Sequence, residues 1–176
     1  MTSSQLRRTH AALIESLDLG IRQASDRTVL EARAPSLSNW SVKDHLEHLW
    51  AANEGIVTWI ERACAGDPDL DSRGSPNLFG RIVLLAGAFP RGRGKAPDRT
   101  LPKGMDADEL AEGSRLIRAR VEALEGSLPQ VQAARATRNH FAFGDLTAAQ
   151  WLRFTAIHNH HHQKIIRDIL AARSAA

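Results

Sequence analysis

The chain has no tyrosine and a single cysteine, Cys64, and aromatic residues make up only 5% of its 176 positions. One thiol excludes an intramolecular disulfide and suits a reducing cytosol. Cys64 sits in WIERACAG near a helix end and reads as a packing residue rather than a nucleophile. Few aromatics beside plentiful Ala, Leu, Arg and Glu disfavour a sheet-rich core. No stretch approaches the roughly 20 apolar residues of a transmembrane helix, and MTSSQLRRTH lacks the apolar centre of a signal peptide. No membrane partner is expected, and the expected location is cytoplasmic.

Acidic residues are slightly outnumbered, which gives a net charge of +3 and a pI near 9.6. The densest basic stretch is PRGRGKAPDR, Pro90 to Arg99. It is rich in Gly and Pro, has no interleaved aromatics, and offers no regular register for reading bases. A solvated loop is expected there, and no nucleic-acid partner. Apolar residues at 43% and charged residues at 24% fit an ordinary globular protein. The length suits one domain, residues 1–176.

Four helical segments stand out. The first runs from about Ser4 to Leu19, with Leu6, His10, Leu13 and Leu17 at helical spacing. The second follows NWS, where Ser41 and Asp44 form a capping box before VKDHLEHLWAANEGIVTWIERAC, and Gly66 with Pro68 ends it. The third runs from about Asp106 to Leu124, closed by Gly126 and Pro129. The fourth opens with a Thr147–Gln150 capping box and continues to about Ala172. The Asp67–Gly104 connection is too long for a plain loop, and its LFGRIVLLAGAF core predicts one or two short extra helices. The Ser127–Asp145 connection has no clear period. The expected fold is all-α: a four-helix bundle with a long crossover between helices 2 and 3.

The fourth helix carries FTAIHNHHHQKII. At about 100° per residue, Trp151, Phe154, Ile165 and Ile169 fall within about 40° of His158. His162 lies in the same apolar arc, His161 at its edge, and His160 on the far side with Arg153, Lys164 and Arg167. Buried imidazoles need partners for their nitrogens, and an i,i+4 pair is well spaced to share a metal ion. Two core histidines satisfied by hydrogen bonds fit the same pattern. On the second helix Lys43, Asp44, Glu47, Glu54, Glu61 and Arg62 occupy an arc of roughly 100°, so the rest of its circumference should be buried. His45 and His48 both lie in that buried part, His48 on the side of the small residues Ala51, Ala52 and Gly55.

WSVKDHLEHL followed far downstream by HNHHHQKII resembles the DinB-like superfamily of small four-helix-bundle metalloproteins. The likeness covers most of the chain, and HFAFGDLTAAQWLRFTAIHNHHHQKIIRDI looks like a subgroup of unassigned function. Residue by residue, the resemblance implies a metal site of His48, His158 and His162, the last two being the pair the helical wheel selects independently. A glutamine often stands about three residues beyond the family's last histidine; here that place is Ile165, and Gln163 follows His162 directly. The Asp67–Gly104 insertion has no evident counterpart and is a candidate lid. The resemblance further implies a divalent ion, zinc or nickel, and a homodimer, and some relatives use a low-molecular-weight thiol as cofactor.

The resulting expectation is a divalent-metal-dependent enzyme acting on a small-molecule substrate, thiol S-transferase-like or hydrolase-like. A metal lowers the pKa of a thiol or water ligand and creates a nucleophile near neutral pH. His161 and His45 are the candidates for general base or ligand-orienting group, and packing is an equally good role for each. Asp44, one turn before His48, could hold its second nitrogen, although the helix cap also claims it. The alternative is a non-catalytic helical stress-response or binding protein with a structural or vestigial metal site. His10 reads as a packed core residue, His140 as a residue near the site mouth, and Trp40, Trp50, Trp59 and Trp151 as core.

Overall fold

The computed structural model describes residues 1–71, 74–88 and 95–174. Four long helices carry the fold: α1 (Ser3–Ala24), α3 (Val42–Cys64), α5 (Ala107–Ala123) and α7 (Ala148–Ser174). Between α1 and α3 lies the single turn α2 (Arg27–Leu30). The long crossover holds α4 (Leu78–Ala86) and a 3-10 turn at Asp98–Thr100. After α5 come a 3-10 turn (Leu124–Ser127), α6 (Leu128–Ala133) and two short strands, β1 (Thr137–His140) and β2 (Gly144–Thr147). Much of the basic stretch, residues 90–94, lies outside the described residues, as do 72, 73, 89, 175 and 176.

Caps set where the long helices begin. Thr2 with Gln5 and Ser41 with Asp44 form complete capping boxes. Thr147 and Gln150 exchange the same pair of bonds at the start of α7, satisfying backbone donors that a helix start leaves unpaired. α1 packs on α5 and α7, and α3 packs on the same two helices. The bundle is therefore square in section, with α1 diagonal to α3. Its larger apolar core joins Leu6, Leu13 and Leu17 to Val57, Ile60, Val121 and Leu152. A second cluster, containing Val42, Leu46, Leu110, Ile166 and Ile169, fills the end where α3 starts and α7 finishes. The all-α bundle expected from the sequence is what the chain adopts.

Two local features go beyond what the sequence pattern shows. The aperiodic 127–145 connection ends in an antiparallel hairpin, with Arg138 opposite Leu146 and His140 opposite Gly144. Gly144 has a φ of +79° at the end of the turn, a conformation that favours glycine. The charged arc of α3 is also not a solvated face. Glu54 and Glu61 are half-buried against Arg120 of α5, at 3.2 and 2.6 Å, and Glu47 is buried.

Candidate metal centre

α3 and α7 run antiparallel in contact, and their histidines meet near the end where α3 begins. His45, His48, His158 and His162 are each 9% exposed or less. His48, His158 and His162 each present one ring nitrogen to a common point, and the three nitrogens lie within 4.8 Å of one another. The register of the two helices is held by a reciprocal amide pair. Asn53 donates to Asn159 at 3.1 Å and Asn159 donates back at 2.8 Å. The pair lies next to His158 in the sequence of α7 and five residues beyond His48 on α3. A slip of one helix along the other would break both bonds and leave buried amides without partners.

Proton positions follow from the partners. His48 Nδ1 lies 2.8 Å from the carbonyl oxygen of Thr100. A carbonyl only accepts, so Nδ1 carries the proton and Nε2 presents a lone pair. That Nε2 is 3.1 Å from His158 Nε2, which leaves two solutions: His158 donates to it, or both lone pairs face one cation. On the other side His162 Nδ1 lies 2.9 Å from His45 Nδ1, and His45 Nε2 lies 3.0 Å from Ser38 Oγ. If His162 donates through Nδ1, its Nε2 lone pair is free for a metal. His45 then donates through Nε2 to Ser38, whose oxygen also accepts from the backbone N–H of Trp40. The His162 ring, one of three that could hold a metal ion, is thus steadied by a second imidazole and a hydroxyl.

Burial keeps these rings neutral. It is the main cause lowering the His45 pKa to about 4, aided by His48 and His161 against a raising effect of Asp44. Burial also lowers His48, opposed by its bond to Thr100. His158 and His162 are held well below the usual imidazole value, by burial first and by neighbouring histidines second. A neutral imidazole is the form that binds a metal. Three nitrogen donors converging within 4.8 Å could hold a metal ion, and such a set leaves coordination positions for other ligands.

The other histidines divide clearly. His161 is half-buried, its ring edge-on to His162 with centroids 5.3 Å apart, and His160 is exposed. His10 is buried with Nε2 2.7 Å from the Val121 carbonyl oxygen, a core role far from the site. Asp44 does not reach His48: its carboxylate accepts from the Ser41 backbone and hydroxyl at 2.8 and 2.7 Å, and Thr100 takes the place that the sequence offers to Asp44. Trp59 and Trp151 are core residues, but Trp40 is not. Its half-exposed ring covers the site, with centroids 5.3 Å from His45, 5.1 Å from His48 and 6.3 Å from His162.

Three contributors escape the sequence. The Thr100 carbonyl is a backbone group on a 3-10 turn and has no side-chain signature. Glu47, which the charge pattern puts on the outer arc, accepts from the backbone N–H groups of Lys103, Gly104 and Met105. It thereby pins the segment just after Thr100. The Trp40 ring sits ahead of the helix cap, where no periodicity applies, and its packing on His45, His48 and His162 is a tertiary contact.

Residues 4–166 match the profile of the DinB superfamily. No curated protein and no solved structure matched the chain. A match over that span, on a helical bundle with three converging histidines, settles the family: the chain belongs to the DinB superfamily.

Proposed function

We propose that this protein is a divalent-metal-dependent enzyme acting on a small molecule, by thiol transfer or by hydrolysis. The observation that carries the reading is the three buried imidazoles of His48, His158 and His162, whose ring nitrogens converge within 4.8 Å. In this reading those three hold zinc or nickel. The ion supplies positive charge that lowers the pKa of a thiol or water brought beside it. His45 keeps the His162 ring in the tautomer that offers Nε2, and Thr100 does the same for His48. His161, at the half-buried edge, takes the proton released by the incoming nucleophile. Trp40 shields one side of the three rings from water.

The test loads the protein with zinc or nickel and offers two reactions: a low-molecular-weight thiol with an electrophilic acceptor, and an activated ester. Acceleration of one of them, abolished by His158→Ala, supports the enzyme. If the loaded protein accelerates neither, the metal is structural and the protein non-catalytic. A homodimer belongs to the same reading. Leu78, Ile82 and Leu85, at helical spacing on α4, are exposed and offer an apolar face, and sedimentation equilibrium decides between monomer and dimer. Among the described residues no helix is long and apolar enough to cross a membrane.

A further inference from the structure

Behind the histidines α7 carries a second polar face. Where it packs on α1 the two helices line a cleft of about 590 Å³ that reaches Gly87 at the end of α4, a size within the roughly 300–1,000 Å³ of small-molecule sites. Arg153, Ala156, His160, Gln163 and Arg167 contribute to its wall. At about 100° per residue they fall about 140–220° from His158. The cleft therefore lies on the far side of α7 from the metal-site histidines.

Its wall holds polar groups that the fold leaves unused. Ser16 Oγ and Gln23 Oε1 on α1, and Gln163 Oε1 on α7, are buried and have no hydrogen-bond partner. Gln163 is only 7% exposed, and its Nε2 lies 3.6 Å from where a side chain at Gly20 would begin, so the amide reaches across to α1. Ser16 and Gln23 stand about one turn to either side of Gly20 on one face of α1, and Arg167 stands one turn beyond Gln163 on α7. These four side chains thus mark one end of the cleft. Arg153, toward the other end, is taken up by α4: its Nε donates to the Leu84 carbonyl at 3.5 Å, and its Nη2 lies 2.7 Å from the Cβ position at Gly87. Arg167 is exposed and forms no ion pair among the described residues.

Buried oxygens without partners are unfavourable until something donates to them, and a free guanidinium selects an oxyanion. The lining carries two arginines against one acid, Glu15, which favours neutral hydroxyl donors over an ammonium. We propose that this end of the α1–α7 cleft is a second binding site, for a hydroxylated organic acid. Its carboxylate pairs with Arg167, its hydroxyls donate to Ser16, Gln23 and Gln163, and its carbon chain rests on Leu19 and Ile157. The site is separate from the metal centre and does not depend on the metal reading.

The experiment compares three six-carbon probes by calorimetry on the wild-type protein. Gluconate has both the carboxylate and the hydroxyls, sorbitol lacks the carboxylate, and hexanoate lacks the hydroxyls. Gluconate is expected to bind about tenfold more tightly than either of the others. Arg167→Gln should erase the advantage over sorbitol, and Gln163→Leu the advantage over hexanoate. Metal content should stay unchanged in both variants. The urea midpoint of Gln163→Leu should stand at or above that of the wild type, because the change removes an unpartnered buried oxygen; a purely structural amide would lower it. No binding of gluconate at millimolar concentration, equal affinity for the three probes, or a gluconate preference intact in both variants overturns the proposal.

Discussion

Replacing His45 tests whether the ligand set depends on a ring that does not itself belong to it. His45 Nδ1 is 2.9 Å from His162 Nδ1, and its Nε2 is 3.0 Å from Ser38 Oγ. His45→Phe keeps most of the ring volume under Trp40 but removes both nitrogens. The His162 Nδ1–H then faces carbon, and the ring can turn or change tautomer. Losing such a partner typically lowers metal affinity about 10–100-fold, or roughly 1.4–2.7 kcal/mol at 1.36 kcal/mol per decade. His45→Asn restores an oxygen near the Nδ1 position and should recover much of that loss. Competition against a chromophoric chelator gives the affinities, and circular dichroism checks that both variants are folded. Phe binding zinc as tightly as the wild type would refute the relay. Asn binding no better than Phe would refute the hydrogen bond as its cause.

Three further outcomes follow from the same geometry. His45 and His140 have folded pKa values of about 4, in each case chiefly through burial, against about 6.5 in the unfolded chain. Between those values the unfolded chain binds more protons, so stability is full above pH 6.5 and falls as pH drops toward 4; urea midpoints of the metal-free protein at pH 7.5, 6 and 5 should decline in that order, and a flat series would contradict the burial of neutral rings. Glu47→Gln sets an amide N–H₂ against backbone donors of Lys103–Met105, and should cost about 2–3 kcal/mol in urea unfolding and weaken metal binding through Thr100. Loss of stability below 0.5 kcal/mol would remove Glu47 from the account. Asn53→Leu and Asn159→Leu should each cost about 1–3 kcal/mol by leaving the partner amide unsatisfied, whereas the double variant should cost less than their sum; strict additivity would show that the pair does not act as a unit.

The parts legible in the sequence are those encoded by local pattern. Helix starts at Ser41 and Thr147 were readable because a capping box is a short-range signal. The inward direction of His158 and His162 was readable because α7 keeps a 3.6-residue period on either side of them. His48 could be placed on the buried side of α3 in the same way, although its role as a ligand rested on family likeness. What stayed hidden depends on groups brought together from far along the chain. Glu47 has the period of a surface charge and is buried only because backbone donors 56 residues on fold against it. The Asn53–Asn159 pair spans 106 positions, and either residue alone reads as an ordinary polar side chain. The hairpin at 137–147 has four-residue strands, too short for alternation to show, and Arg138 gains meaning only through Gly55 and Trp151.

The central claim is that His48, His158 and His162 hold one metal ion. Elemental analysis of the purified, untagged protein beside the His158→Ala/His162→Ala double variant tests it most directly. The account predicts about one zinc or nickel per chain in the wild type and none in a folded double variant. Wild-type protein that takes up neither ion after incubation with both would contradict it, and the four buried histidines would then be core polar residues hydrogen-bonded to one another, to Ser38 and to the Thr100 carbonyl.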